Sequence, residues 1–189
     1  MALVKVITIS RQLGSGGDEI AEMLASRLGW RCLCRDIIDR AARSSGAPEA
    51  ALAEIDELKI LGLRPAAPAR QAYRQAVEAI IRQAAEEGRA VIVGRGGQAI
   101  LRHHPQALHV KIVSSPELRV RRLMAQEGIN EEAAVNRIVA SDRSQATYLR
   151  REHGIRWLDP LFYDLVINIG WGDFSWAVDL ILLAAEKKV

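Results

Sequence analysis

Cysteine is almost missing from this chain: Cys32 and Cys34 are the only two. One residue apart on an extended segment, they point to opposite faces, which argues against a disulfide between them. Two cysteines do not complete a zinc site either. Reduced thiols that serve packing, in a cytoplasmic protein, are the expectation. Lysine is scarce as well, at positions 5, 59, 111, 187 and 188 only. Neither charge is in large surplus. The net charge is +3 and its carriers are scattered, which gives no ground for a nucleic-acid partner. No apolar run reaches membrane-spanning length, and Met1 leads straight into the first apolar segment with no signal peptide before it. Neither a membrane partner nor secretion is therefore expected. The four histidines, His103, His104, His109 and His153, lack metal-ligand spacing and receive no catalytic role. No internal repeat or low-complexity tract is visible.

What is present is apolar chain and arginine. Hydrophobic residues make up 49% of 189 positions, enough for a core in one domain of ordinary size. Arginine in excess over lysine suits phosphate, which its planar fork of donors matches. A GC-rich genome would give the same bias without function.

The most informative stretch runs from Val4 to Leu28. Val4 to Ile9 is a β-branched run that reads as a buried strand. Gly14, Ser15, Gly16 and Gly17 form a glycine-rich turn, and Ile20, Ala21, Leu24 and Leu28 then recur at the spacing of one helix face. Strand, glycine loop and helix in that order aim backbone N–H groups and a helix N-terminus at one spot, which makes an anion site. The match to the phosphate-loop pattern GxxxxGK[ST] is partial. With Gly16 on the second glycine, Arg11 falls on the first, Gly17 where lysine belongs, and Asp18 where the Mg²⁺-binding hydroxyl belongs. A glycine turn of no special function is the plain alternative. Arg11 speaks against it, since a cation beside bare N–H groups is costly unless an anion joins them, and Arg11 is the candidate for the absent lysine's work.

Further along, Gly29 stops the first helix and Trp30 to Leu33 makes a short apolar approach. Helices are expected at Arg35 to Arg43 and Glu49 to Leu61, then a proline-rich loop at Arg64 to Pro68. Gln71 to Glu87 is a long amphipathic helix with Ala72, Ala76, Ala79, Ile80 and Ala84 on one side, stopped by Gly88. Ala90 to Val93 is a second strand, ending in Gly94-Arg95-Gly96-Gly97. A short helix at Ala99 to His103 and a third strand at Leu108 to Val113 follow. Ser115 caps the next helix with Pro116 in its first turn, Gly128 closes it, and Asn130 caps another that runs to about Glu152. Leu165 to Asn168 is the last strand and Phe174 to Glu186 the closing helix. Strands alternating with helices call for a parallel sheet covered on both faces.

Ligands bind such sheets at the carboxyl ends of the strands. Two of those ends combine glycine with arginine, Ser10 to Gly17 and Gly94 to Gly97. Arg119, Arg122, Arg143, Arg150 and Arg151 form a third group. Each alone reads equally as a solvated surface residue. Together they suit closure over transferring phosphates, where charge stabilisation matters more than covalent chemistry.

Taken in order, several segments resemble the cytidylate kinase-like proteins, a branch of the P-loop nucleoside monophosphate kinases. They are Ile9 to Gly17 with Ile20-Ala21, Val93 to Gly97, Ser141-Asp142-Arg143, Tyr148, Gly154, Trp157, and Asp159-Pro160 through Asn168. The resemblance implies a P-loop-type three-layer α/β/α fold with a central parallel sheet, one kinase-like domain over 1–189. A helical acceptor-binding part would lie at about 34–73 and a lid at about 122–148. It implies transfer of the ATP γ-phosphate to CMP or dCMP with Mg²⁺, and nucleotides as partners. Gly14, Ser15, Gly16, Gly17 and Asp18 would hold the donor, while Arg11, Arg119, Arg122 and Arg143 would act on the transferring group. Arg35, Asp36 and Arg95 would meet the acceptor. The chain departs from true cytidylate kinases at Gly17, which replaces the loop lysine, and at Gly96, which replaces an aspartate. Cys34 stands where the branch commonly has aspartate. Asp18 is either a Mg²⁺ ligand or a first-turn acid favoured by the helix dipole, so the metal ligands are not located. A binding module without turnover, or a kinase for another small acceptor, fits the same departures. A dimer is left open.

Overall fold

The structure, a computed structural model, describes residues 4–34 and 67–188. The helices expected at 35–43 and 49–61, most of the acceptor-binding part, and Arg35 and Asp36 lie outside the described residues, as do the first three residues of the proline-rich loop. The elements are β1 (Val6–Arg11), α1 (Gly17–Leu28), β2 (Arg31–Leu33), α2 (Ala67–Glu87), β3 (Ala90–Val93), α3 (Gly97–Ile100), β4 (Ala107–Val113), α4 (Pro116–Glu127), α5 (Glu131–His153), a 3₁₀ turn (Pro160–Phe162), β5 (Leu165–Asn168) and α6 (Ser175–Lys187).

All five strands are parallel, in the order β2-β3-β1-β4-β5. β1 therefore sits at the centre, and its burial on both faces explains its unbroken β-branched run. Ile7 and Ile9 face one layer, where Ile20 and Leu24 of α1 and Val178 and Ile181 of α6 meet them. Val6 faces the other, against Tyr73, Val77 and Ile81 of α2. Full burial of each such side chain stabilises the fold by about 1.5–3 kcal/mol. The chain leaves β1 towards β2 on one side and leaves β4 towards β5 on the other. The crevice at the carboxyl ends of β1 and β4 is thus the topological switch point, where ligands bind such sheets.

Three expectations shift here. The inward stripe of α2 is Tyr73, Val77, Ile81, Ala84 and Ala85, while Ala72 and Ala79 are exposed. The helix turns its larger apolar side chains inward, because they gain more from burial than alanine does. It also begins earlier than Gln71, at Ala67, so that Pro68 falls in its first turn, where a missing N–H costs nothing. The approach at 30–33 is itself a strand, β2, at the sheet edge.

The caps follow the sequence. Ser115 Oγ accepts from Leu118 N, Asn130 Oδ1 accepts from Ala133 N, and Gly29, Gly128 and Gly154 end their helices in the left-handed region.

Candidate functional site

The N-terminus of α1 is built differently. Its cap residue is Gly16, at φ 84°, with no side-chain cap. A helix start leaves up to four N–H groups without intrahelical partners, and among the described residues no side chain takes them. Gly14 is also left-handed, at φ 74°. The loop between is pinned from below: Ser15 is fully buried and its Oγ donates to the Gln12 carbonyl at 2.7 Å, while Gln12 Oε1 accepts from Ser114 N at 3.1 Å. A Cβ at Gly14 would meet the Arg119 carbonyl at 2.6 Å, and one at Gly16 would meet the Phe174 ring at 2.4 Å. Glycine is required at both places by close approach as well as by φ.

The arginines named from sequence divide. Arg11 lies beside the loop, its Nε donating to Asp18 Oδ1 at 3.0 Å, and its Nη1 would stand 3.1 Å from a Cβ on Gly94. It thus links the ends of β1 and β3. Arg122 reaches in from α4 to donate to the Ser15 carbonyl at 3.1 Å and to Ser114 Oγ at 3.3 Å, with its guanidinium over the Phe174 ring. Arg119 is 3% exposed, and each of its three nitrogens makes a hydrogen bond. Its Nε donates to the Leu13 carbonyl at 2.7 Å, and its two Nη atoms hold both oxygens of Asp142 at 2.8 and 2.7 Å. This guanidinium ties α5 to the loop. Arg143, next along α5, is exposed, as are Arg150 and Arg151.

Arg95 is buried after β3, between Gly94 and Gly96, and all three are left-handed. Glycine takes that conformation freely and arginine at a cost, so the turn holds Arg95 in a strained backbone. The turn is covered by the end of α5. The Tyr148 hydroxyl donates to the Arg95 carbonyl at 3.4 Å, and His153 Nε2 would stand 2.7 Å from a Cβ on Gly96. That imidazole nitrogen is buried without a hydrogen-bond partner among the described residues, and burial holds the His153 pKa below its usual value.

One group escaped the sequence reading. Lys111 of β4, 2% exposed and in register with Ser10, lies against Trp157 and Tyr163. A lone lysine in an apolar run looks like a surface residue, and its partners arrive from a distant part of the chain. His109, two positions earlier, is neutral packing. Its Nδ1 accepts from Thr8 Oγ1 at 2.8 Å, its Nε2–H donates to the Leu101 carbonyl at 3.2 Å, and burial lowers its pKa. Cys32 and Cys34 are both free, and burial, then Cys34, pushes the Cys32 thiol up to about 11.

The central parallel sheet, its order and the glycine loop define a P-loop kinase fold. Solved structures agree: a gluconokinase from Sinorhizobium meliloti superposes with a TM-score of 0.61 at 13% identity, over 98% of this chain and 93% of that one. An uncharacterized protein from Eubacterium ventriosum superposes with a TM-score of 0.78 at 26% identity, over 96% and 98% of the two chains. The sequence profile of the cytidylate kinase-like family matches residues 6–170, and the chain belongs to that family. A cytidylate kinase from Ignicoccus hospitalis is 26% identical over 163 residues, 86% of this chain and 88% of that protein. A 103-residue stretch is also 33% identical to a uronate isomerase from Corynebacterium glutamicum. That match spans 52% of this chain and 19% of the isomerase. Family and fold together make this a kinase-like protein. Among the described residues no helix is long and apolar enough to cross a membrane.

Proposed function

We propose that this chain is a phosphotransferase that moves the γ-phosphoryl group of ATP to the phosphate of CMP or dCMP. The observation that carries the reading is the uncapped start of α1, with Arg11 and Arg122 at its flanks, at the switch point of the sheet. Backbone N–H groups of Gly14, Gly16, Gly17 and Asp18 would take the donor phosphates, while the Ser15 N–H is held by the Gln12 carbonyl at 3.1 Å. Arg11 would supply the fixed positive charge of the missing lysine. Arg122 would neutralise charge beside Ser15, and Arg143 would reach the transferring group from α5. Arg119 would serve as a positioning residue, since its three nitrogens already hold Leu13 and Asp142. Arg95 would meet the acceptor phosphate, with Arg35 and Asp36 beside it. The stretch 122–148, which covers the end of α4 and most of α5, would be the lid.

Mg²⁺ would share the site. Among the described residues no group of three or more His, Cys, Asp or Glu side chains is arranged for a metal. Mg²⁺ needs no such group when phosphates and water supply most of its ligands. Asp18, at the first turn of α1 with its side chain 54% exposed, is the carboxylate able to add one, in exchange for its contact with Arg11. Bound there, the ion would neutralise charge on the phosphates.

One observation favours a different acceptor. His153 fills the space a side chain at Gly96 would use, so a carboxylate projecting from that turn is excluded. A coupled assay of ADP formation over a panel of nucleoside monophosphates tests both readings. CMP or dCMP as the fastest acceptor supports the first, and another acceptor supports the second. Binding of ATP with no turnover of any acceptor would instead indicate a binding module.

A further inference from the structure

Arg95 is held by residues from outside its own turn. Its backbone sits at φ 52°, between Gly94 at 75° and Gly96 at 72°. Glycine has no preference for that region and arginine avoids it, so the chain from 94 to 96 does not keep this shape unaided. The Gly94 carbonyl accepts from Gly97 N at 3.1 Å, and the Gly96 carbonyl from Ala99 N at 2.8 Å and Ile100 N at 3.0 Å. Those bonds start α3. The Arg95 carbonyl accepts instead from the Tyr148 hydroxyl of α5, at 3.4 Å.

The same end of α5 closes on Gly96. A Cβ there would meet His153 Nε2 at 2.7 Å, His153 Cδ2 at 3.0 Å and Leu149 Cδ2 at 3.4 Å. Tyr148 and His153 also brace each other, ring edge to face, with centroids 5.6 Å apart and planes at 76°. His153 Nε2 makes no hydrogen bond among the described residues. What the imidazole gives Gly96 is therefore contact rather than a bond. Gly94, at the head of the turn, meets Arg11, whose Nη1 would lie 3.1 Å from a Cβ there. The turn is thus gripped between Arg11 and the last turns of α5. Without the α5 side, residue 95 is free to relax to negative φ. That rotation re-aims the Arg95 side chain, because Cβ turns with the backbone.

We propose that Tyr148 and His153 are positioning residues for the acceptor: they hold Arg95 in its strained backbone conformation and so keep its guanidinium where the acceptor phosphate docks. The proposal rests on the acceptor half of the kinase reading, in which Arg95 meets that phosphate. Tyr148 and His153 act through Arg95 and stay off the substrate. Arg95 would hold the phosphate before and during transfer alike. Loosening it weakens uniform binding, which raises KM and leaves kcat nearly unchanged. The glycine loop takes its ties from Arg119 and Arg122 instead, so ATP affinity should stay as it is.

Steady-state kinetics of ADP formation by the whole chain, with CMP as the varied acceptor and ATP with Mg²⁺ saturating, tests this. Tyr148→Phe removes one hydroxyl and keeps the ring against His153. Its KM for CMP should rise about three- to tenfold, with kcat within about twofold of wild type. His153→Ala should raise that KM by about tenfold or more. Calorimetry should give all three proteins the same ATP affinity, which a general loosening of the fold would not. An unchanged KM in Tyr148→Phe, or a KM for CMP and a Kd for ATP that rise together, overturns the proposal. Should His153→Ala fail to fold, Tyr148→Phe decides alone. A wild-type protein that binds ATP without phosphorylating CMP shows that failure in the control, and would overturn the acceptor reading and the proposal with it.

Discussion

Arg11 runs through the space that a side chain on Gly17 would need. A Cβ built on Gly17 would lie 2.4 Å from Arg11 Cβ and 2.8 Å from its Cγ. The two positions compete for one volume, so glycine at the lysine's place and arginine at the strand end form a single substitution in physical terms. Gly17→Lys alone should therefore lower stability by about 1–3 kcal/mol through overpacking. Removing the clash with Arg11→Gly should make the double variant more stable than the sum of the single losses, by about 1 kcal/mol or more. Urea unfolding of the four proteins measures this, and strictly additive losses would contradict it.

Arg119 and Asp142 offer a second test. Their two-bond pair is buried on the arginine side and 31% exposed on the carboxylate side. Asp142→Asn leaves a buried guanidinium half-satisfied, and should cost about 2 kcal/mol after allowance for partial exposure. Because the same guanidinium holds the Leu13 carbonyl, ATP affinity should fall as well. A stable Asp142→Asn protein with unchanged affinity would show that the tie between α5 and the loop has no bearing on binding.

The fold was legible where local chemistry decides it. The glycine stops, the Ser115 and Asn130 caps and the apolar runs of β1, β3, β4 and β5 each carry their signal within a few residues. β2 was harder, because three partly exposed residues at a sheet edge lack a pattern of their own. The loop at Ser10 to Asp18 was legible as a glycine turn that joins the first strand to a helix. The spending of Arg119 on Asp142 was not, nor was the pairing of Ser10 with Lys111 and Trp157. Those contacts join residues far apart in sequence, and periodicity carries no information about them.

Lys111 also makes stability depend on pH. Its pKa is about 6 in the fold and 10.5 when free. Between those values the unfolded chain binds a proton that the native chain does not, so stability rises with pH across that window, by up to about 1.4 kcal/mol per unit. Below about pH 6 both states hold the proton and this dependence ends. Lys111→Met removes it. The variant should gain most over wild type near pH 6, and the gain should shrink towards pH 10. Chemical denaturation of both proteins at several pH values checks the trend, and a gain that grows with pH would be the wrong sign.

The most direct measurement is the affinity of Arg11→Gln for ATP with Mg²⁺, by calorimetry beside wild type. If a displaced guanidinium does the work of the loop lysine, wild type binds and the variant loses about tenfold or more in affinity, with turnover reduced by about a hundredfold. Equal affinity and equal turnover in the two proteins would contradict that role for Arg11.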